Sequence, residues 1–363
     1  MPKTVRKFSW LIILIFTVYI VENQALAQFR PKKSNNLRIS KYRGSIKSFA
    51  NKRYLALGVS LNSMNYFGDL APKSGWASTD ISFTKPGIGL VADYKYAPRV
   101  TFFANLTYGA LRGDDFESAD PGDPNARYRY IRNLQFRNRI IELAVGGKLD
   151  LFTNRGTYLS RPIINPYIFG GVAVFHHNPE AIAPAADQLG EPIAEAGKWV
   201  DLQPLGTEGQ YSGDYNVKPY KRIQISLPVG IGAKYTLNSF LDISFEVGYR
   251  ILFFDYIDDV SGNYVDLGAL GSPLAKAMSD RSQEVKAAVS GKTRDFEGTV
   301  LPNTSYYTYV SKYDGKSYTV LAGYGSEYPT NNRGGSSDND IYIVTSIRVT
   351  YIIGGTFRNA KFR

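Results

Sequence analysis

Residues 240–254 read FLDISFEVGYRILFF. Leu241, Ile243, Phe245, Val247, Tyr249, Ile251 and Phe253 hold the odd positions, and Asp242, Ser244, Glu246, Gly248 and Arg250 the even ones between them. Successive side chains of a strand point to opposite faces, so the stretch predicts a strand with one wholly apolar face and one charged face. A helix would bring Glu246 and Arg250 together but would scatter the apolar side chains around its circumference. About a dozen residues suits a tilted strand crossing a bilayer. Apolar-out with charged-in is the pattern of a membrane barrel. A sandwich strand with one wet face is the soluble alternative, and the rest of the chain decides between them.

Residues 54–64, 87–96, 100–111, 140–152, 165–176, 223–237 and 341–353 repeat the alternation. Leu55, Leu57, Val59 and Leu61 share one face of the first. Ile88, Leu90 and Tyr94 oppose Asp93 and Lys95 in the second, and Ile141, Leu143 and Leu149 oppose Glu142, Lys148 and Asp150 in the fourth. Segment 165–176 is apolar on both faces and leaves its own register open. The links between segments alternate strictly. Ala97-Pro98-Arg99, Asn238-Ser239 and the modest 153–164 are the short ones, and the other four are long. Outer-membrane barrels have short periplasmic turns, long outer loops and an even strand count, whereas a sandwich has no reason to gather every long loop at one end. The expected fold is therefore all-β: an eight-stranded antiparallel outer-membrane barrel over 54–353 with long extracellular loops. Tyr94, Tyr96, Tyr235 and Tyr351 then fall at the periplasmic edge, and Tyr108, Tyr249 and Phe253 at the outer edge, as two interfacial girdles.

The inward set is Asp93, Lys95, Glu142, Lys148, Asp150, Lys234, Asp242, Glu246, Arg250 and Arg348, five acids and five bases. Eight strands enclose only enough room for side chains to fill, and buried charges must pair. The expectation is a salt-bridged plug, not a conducting pore.

Residues 1–27 read as a secretory signal. Lys3, Arg6 and Lys7 precede an apolar run, and Ala25-Leu26-Ala27 supplies small residues at the cleavage positions. The 363-residue chain has no cysteine, which excludes disulfides, thiolate chemistry and lipid attachment through a thiol. Of the formal charge of +11, most lies in 28–53, which holds nine Lys and Arg and no acid. Arg30, Lys32, Lys33, Arg38, Lys41 and Arg43 are its candidate partner-binding residues. This arm and the tail 354–363 are both expected in the periplasm. There the arm meets an acidic protein face or anionic lipid, or is a solvated leader. Export removes nucleic acid from the expected partners and leaves outer-membrane lipid as the certain surroundings of such a barrel.

Chemistry is sparse. His176 and His177 sit at the outer end of the fifth strand with no serine or carboxylate placed beside them, so a lipid-hydrolase reading gives way to interfacial or loop histidines. Asp255, Asp258 and Asp259 could offer oxygen to calcium, but the spacing matches no complete calcium loop. Turn capping and solvation are the simpler reading, and Asp114-Asp115 reads the same way. The chain shows no phosphate-binding glycine loop, metal-ligand spacing or triad, so neither a cofactor nor catalysis is expected. Within the fourth long loop, 273–289 has the Ala, Lys and Glu content of a short helix.

Three segments carry a resemblance. They are Tyr66-Phe67-Gly68-Asp69-Leu70 after the first strand, Arg132-Asn133-Leu134-Gln135-Phe136-Arg137 before the fourth, and Asp255-Tyr256-Ile257-Asp258-Asp259-Val260-Ser261-Gly262 after the seventh. In this order, each at its strand end, they resemble the PorG-like outer-membrane barrel family of the type IX secretion system. The resemblance implies a non-enzymatic scaffold that contacts a periplasmic PorK–PorN ring and serves protein export and gliding. The fourth long loop is longer than that family's pattern. A general outer-membrane barrel, whether adhesin, small-solute channel or structural protein, is the alternative.

Overall fold

The computed structural model describes residues 49, 52–70, 83–335 and 339–353. The expected signal 1–27, the six named cations of the arm and the tail 354–363 lie outside the described residues. Among the described residues twelve strands follow one another. Eight make the barrel: β1 (Tyr54–Phe67), β2 (Lys85–Lys95), β3 (Val100–Asp114), β4 (Gln135–Asp150), β5 (Ile164–His176), β8 (Ile223–Thr236), β9 (Leu241–Leu252) and β12 (Ile341–Ile353). Each is antiparallel to its neighbours. β12 closes on β1 and β3 on β4, so the ring has no open edge. Closure leaves no strand edge unpaired, which a lipid environment demands.

Register fixes which face is which. Val349 lies opposite Val59 on one side and Ile243 on the other, and all three point outward. Arg348, one residue earlier, lies opposite Ser60 and Ser244, and all three point inward. The outward columns stay bare: Leu61 is 69%, Ile88 61% and Ile231 64% exposed, while inward Glu142 is 1% and Lys148 2% exposed. Apolar exposure on that scale, continuous around a wall, fits lipid as the surrounding solvent. β5, whose register the sequence leaves open, turns Val172 and Val174 outward and Phe175 inward. Among the described residues no helix is long and apolar enough to cross a membrane.

At the long-loop end the wall rises beyond the expected boundaries. β1 runs to Phe67, β3 to Asp114, and β4 starts at Gln135. The hydrophobic alternation fades there while the ladder continues, so Asp114 still pairs with Gln135. The described parts of the four long links then fold into a cap. β6 (Pro179–Ile182) extends the sheet from β4, and β7 (Trp199–Asp201) from β6. β10 (Tyr306–Val310) and β11 (Ser317–Leu321) form a separate hairpin. The helix expected over 273–289 is confined to Pro273–Ser279, capped by the Ser272 hydroxyl. It stops where the Asp280 carboxylate accepts from the Ser282 amide and turns the chain.

Candidate functional site

The lumen is charged throughout its height. Near its middle, Lys148 donates to Asp93 at 2.9 Å and to Glu246 at 3.0 Å. Arg348 and the Tyr167 hydroxyl, the latter at 2.7 Å, converge on the same Glu246. Higher up, the Arg250 guanidinium holds Glu142 at 3.0 Å, and the Tyr342 hydroxyl donates to its second oxygen at 2.6 Å. Toward the short turns, Lys95 pairs with Asp150. Arg161, from the turn between β4 and β5, reaches Asp242 at 2.6 Å. Nine of the ten expected lumen charges are thus in ion pairs. Lys234 has no ion pair among the described residues and stands in electrostatic reach of Tyr54, Asp93, Asp150 and Asp242. Rings fill what the charges leave. Phe103 and Phe169 meet edge to face at 6.0 Å, and Tyr66, Phe136, Phe175 and Leu252 help seal the mouth. Arg161, Tyr167 and Tyr342 were not legible as partners, because no pattern within a strand says what stands across a lumen.

Above that seal, four fully buried arginines hold the cap. Arg132 grips Asp115 with two nitrogens, at 2.7 and 2.8 Å, and also donates to the carbonyls of Asp69 and Arg333. It therefore ties the first, second and fourth loops together. Arg333 joins the third loop to the fourth through Glu208 at 3.0 Å and the Asp259 carbonyl at 2.6 Å. Arg281 donates to the Ile182 carbonyl, and Arg294 to the carbonyls of Tyr130 and Ile131. Glu208 also accepts from the amides of Ser261 and Gly262, both at 3.0 Å. A planar guanidinium with five donors suits this work, since it satisfies several otherwise orphaned carbonyls at once.

The acidic clusters depart in part from the sequence reading: Asp258 does cap its turn, accepting from the Val260 amide. Asp258 is 1% and Asp259 0% exposed, so neither is solvated. They also diverge. Asp258 takes the Tyr66 hydroxyl at 2.5 Å, while Asp259 takes Thr207 at 2.6 Å and Tyr220 at 2.7 Å. Burial pushes the Asp259 carboxyl up to about 6 and that of Asp255 up to about 7. Among the described residues no group of His and carboxylates has the arrangement of a metal site. Asp114 does cap a helical turn, accepting from the amides of Phe116 and Glu117, but its neighbour Asp115 is buried against Arg132. The two histidines part company. His176 is exposed on the outer wall. His177 is buried, its imidazole stacked on Tyr220 and near the Lys221 carbonyl, and burial lowers its pKa to about 4.

All three segments that carry the family resemblance meet at this seam. Tyr66, Leu70, Leu134, Phe136, Ile257 and Val260 pack into one apolar cluster.

Residues 45–192 match a family model described as a domain of unknown function (DUF6089). No curated protein matches the chain. Solved structures similar to it include Neisserial surface protein A, with a TM-score of 0.32 and 8% identity over 83% of this chain and 96% of that one. Another is the attachment invasion locus protein Ail of Yersinia pestis, at 0.28 and 7% over 83% and 97%. A third is the outer-membrane protein OprG of Pseudomonas aeruginosa, at 0.30 and 10% over 83% and 94%.

Proposed function

We propose that this chain is a non-conducting, non-enzymatic barrel of the bacterial outer membrane that holds a folded cap at the cell surface. The occupied lumen carries the reading. Ion pairs at three heights, the Phe103–Phe169 contact and an apolar cluster at the mouth fill the lumen with side chains. A porin instead keeps an aqueous channel, which takes about twice as many strands. An adhesive or structural surface protein is the role this geometry supports, and a small-solute channel is the one it disfavours. Planar-bilayer recording of the purified barrel tests it: the expected trace is flat, and large, stable single-channel steps would return the protein to the channel class.

A second reading makes the chain a scaffold of the type IX secretion and gliding machinery, bound to a periplasmic PorK–PorN-like ring. What favours it is the convergence of the three resembling segments at the seam between barrel and cap. Co-purification of ring proteins from solubilised outer membranes is its test.

A further inference from the structure

The outer wall changes character just above the apolar columns on one side. Tyr108, Ile141, His176 and Ile223 lie side by side on β3, β4, β5 and β8, all facing out. One outward step toward the cap on β4 is Arg139, and one step from Ile223 is Lys221. Both are exposed, and neither side chain has an ion pair or hydrogen bond among the described residues. Three neighbouring arginines are committed. Arg112 pairs with Glu117 at 2.9 Å, Arg137 with Glu180 at 2.6 Å and Arg222 with Asp201 at 3.0 Å. Arg137 also lies over the Trp199 ring at 3.9 Å. On the opposite wall, the corresponding outward positions are Phe253, Ile341, Phe67 and Pro86, without charge.

We propose that Arg139 and Lys221, flanking His176, form a docking site for the phosphate groups of an anionic glycolipid in the outer leaflet. The inference rests on the outer-membrane reading above. The chemistry of the boundary selects the occupant. Where the apolar wall ends, acyl chains give way to headgroups, and long basic side chains at that level reach headgroup anions while their stems lie on the apolar surface. The chain neutralises Arg112, Arg137 and Arg222 with its own carboxylates and leaves Arg139 and Lys221, which border the apolar columns, to an anion from outside.

The test uses the full barrel, folded in detergent and then in phosphatidylcholine vesicles. Native mass spectrometry reads bound glycolipid, with a bisphosphorylated glucosamine lipid and its dephosphorylated form as probes. Arg139→Gln with Lys221→Gln should weaken retention of the phosphorylated probe by roughly fivefold per charge, about 25-fold for the pair. Lys292→Gln with Lys316→Gln, which removes the same charge from the cap, should leave retention unchanged. Equal retention of both probes, an equal loss in the control pair, or competition by inorganic phosphate would overturn the site. A barrel that fails to enter vesicles at all would instead overturn the outer-membrane reading.

Discussion

A single hydroxyl exposes a proton in the seam. The Tyr66 hydroxyl lies 2.5 Å from Asp258 Oδ2 and 2.9 Å from Asp340 Oδ1. It has one proton and can donate to only one of them, so the other carboxyl must donate to it. The remaining oxygens are already used: Asp258 Oδ1 accepts from the Val260 amide and Asp340 Oδ2 from the Ile257 amide. Burial raises both carboxyls well above the ordinary range, with further elevation of Asp258 by Asp340 and of Asp340 by Asp255. Asp69 raises both further. For an acid raised in the folded state, the native form keeps a proton that the unfolded chain has lost. Its stabilising contribution is complete below about 4 and is lost as pH rises toward the native value. Limited proteolysis of the cap in detergent should therefore quicken from about pH 5 to about pH 8. Asp340→Asn reproduces the protonated partner and should flatten that profile. An unchanged slope in this variant would refute the shared proton. Gly68→Ala should act on the same contact, because its Cβ would lie 1.9 Å from Asp340 Oδ1 and 2.0 Å from the Tyr66 hydroxyl.

Among the elements, the cap loops behave as folded structure because arginines replace the ladders that loops lack. Arg132 ends the helix Arg127–Arg132, where Asn133 takes a left-handed conformation with φ of 59° and turns the chain into β4. That turn aims the guanidinium at Asp115, Asp69 and Arg333 together. Arg132→Ala leaves Asp115 buried without its partner, a loss on the order of 3–5 kcal/mol. Protease should then cut within 177–222 and 253–340, while the barrel keeps its heat-dependent shift on gels. Arg132→Lys should rescue little, since a point charge cannot serve the carboxylate and two carbonyls in one plane. If the alanine variant stayed as resistant as the parent, the cap would not depend on this arginine.

For the whole molecule, the barrel's first and last strand ends, Tyr54 and Ile353, and the short turns belong to one end of the barrel and the cap to the other. The sequence collects positive charge in 28–53. On the secretion-scaffold reading, that arm would steer an acidic ring face by charge, and binding would weaken with salt. Replacing Arg30, Lys32, Lys33, Arg38, Lys41 and Arg43 with Gln leaves every barrel strand untouched. Such a variant should still assemble in the membrane yet recover less ring protein on pull-down. Equal recovery at low and moderate salt would make the arm a leader and move any contact to the turns or the tail.

The sequence by itself determined the wall. Strand alternation is a local property, so residues 240–254 and their seven counterparts were enough to specify the barrel's strand count, its outward faces and which charges face the lumen. Only the tertiary structure decided who pairs with whom. Glu246 and Lys148 are 98 residues apart, and Tyr342 and Glu142 are 200 apart. Such distances carry no periodic signal. The cap was invisible for the same reason. Asp115, Glu208 and Asp259 look like solvated loop acids until Arg132, Arg333 and Tyr220 arrive from other loops. A strand announces its environment every second residue, whereas a buried charge in a long loop is defined by a partner that only the fold brings near.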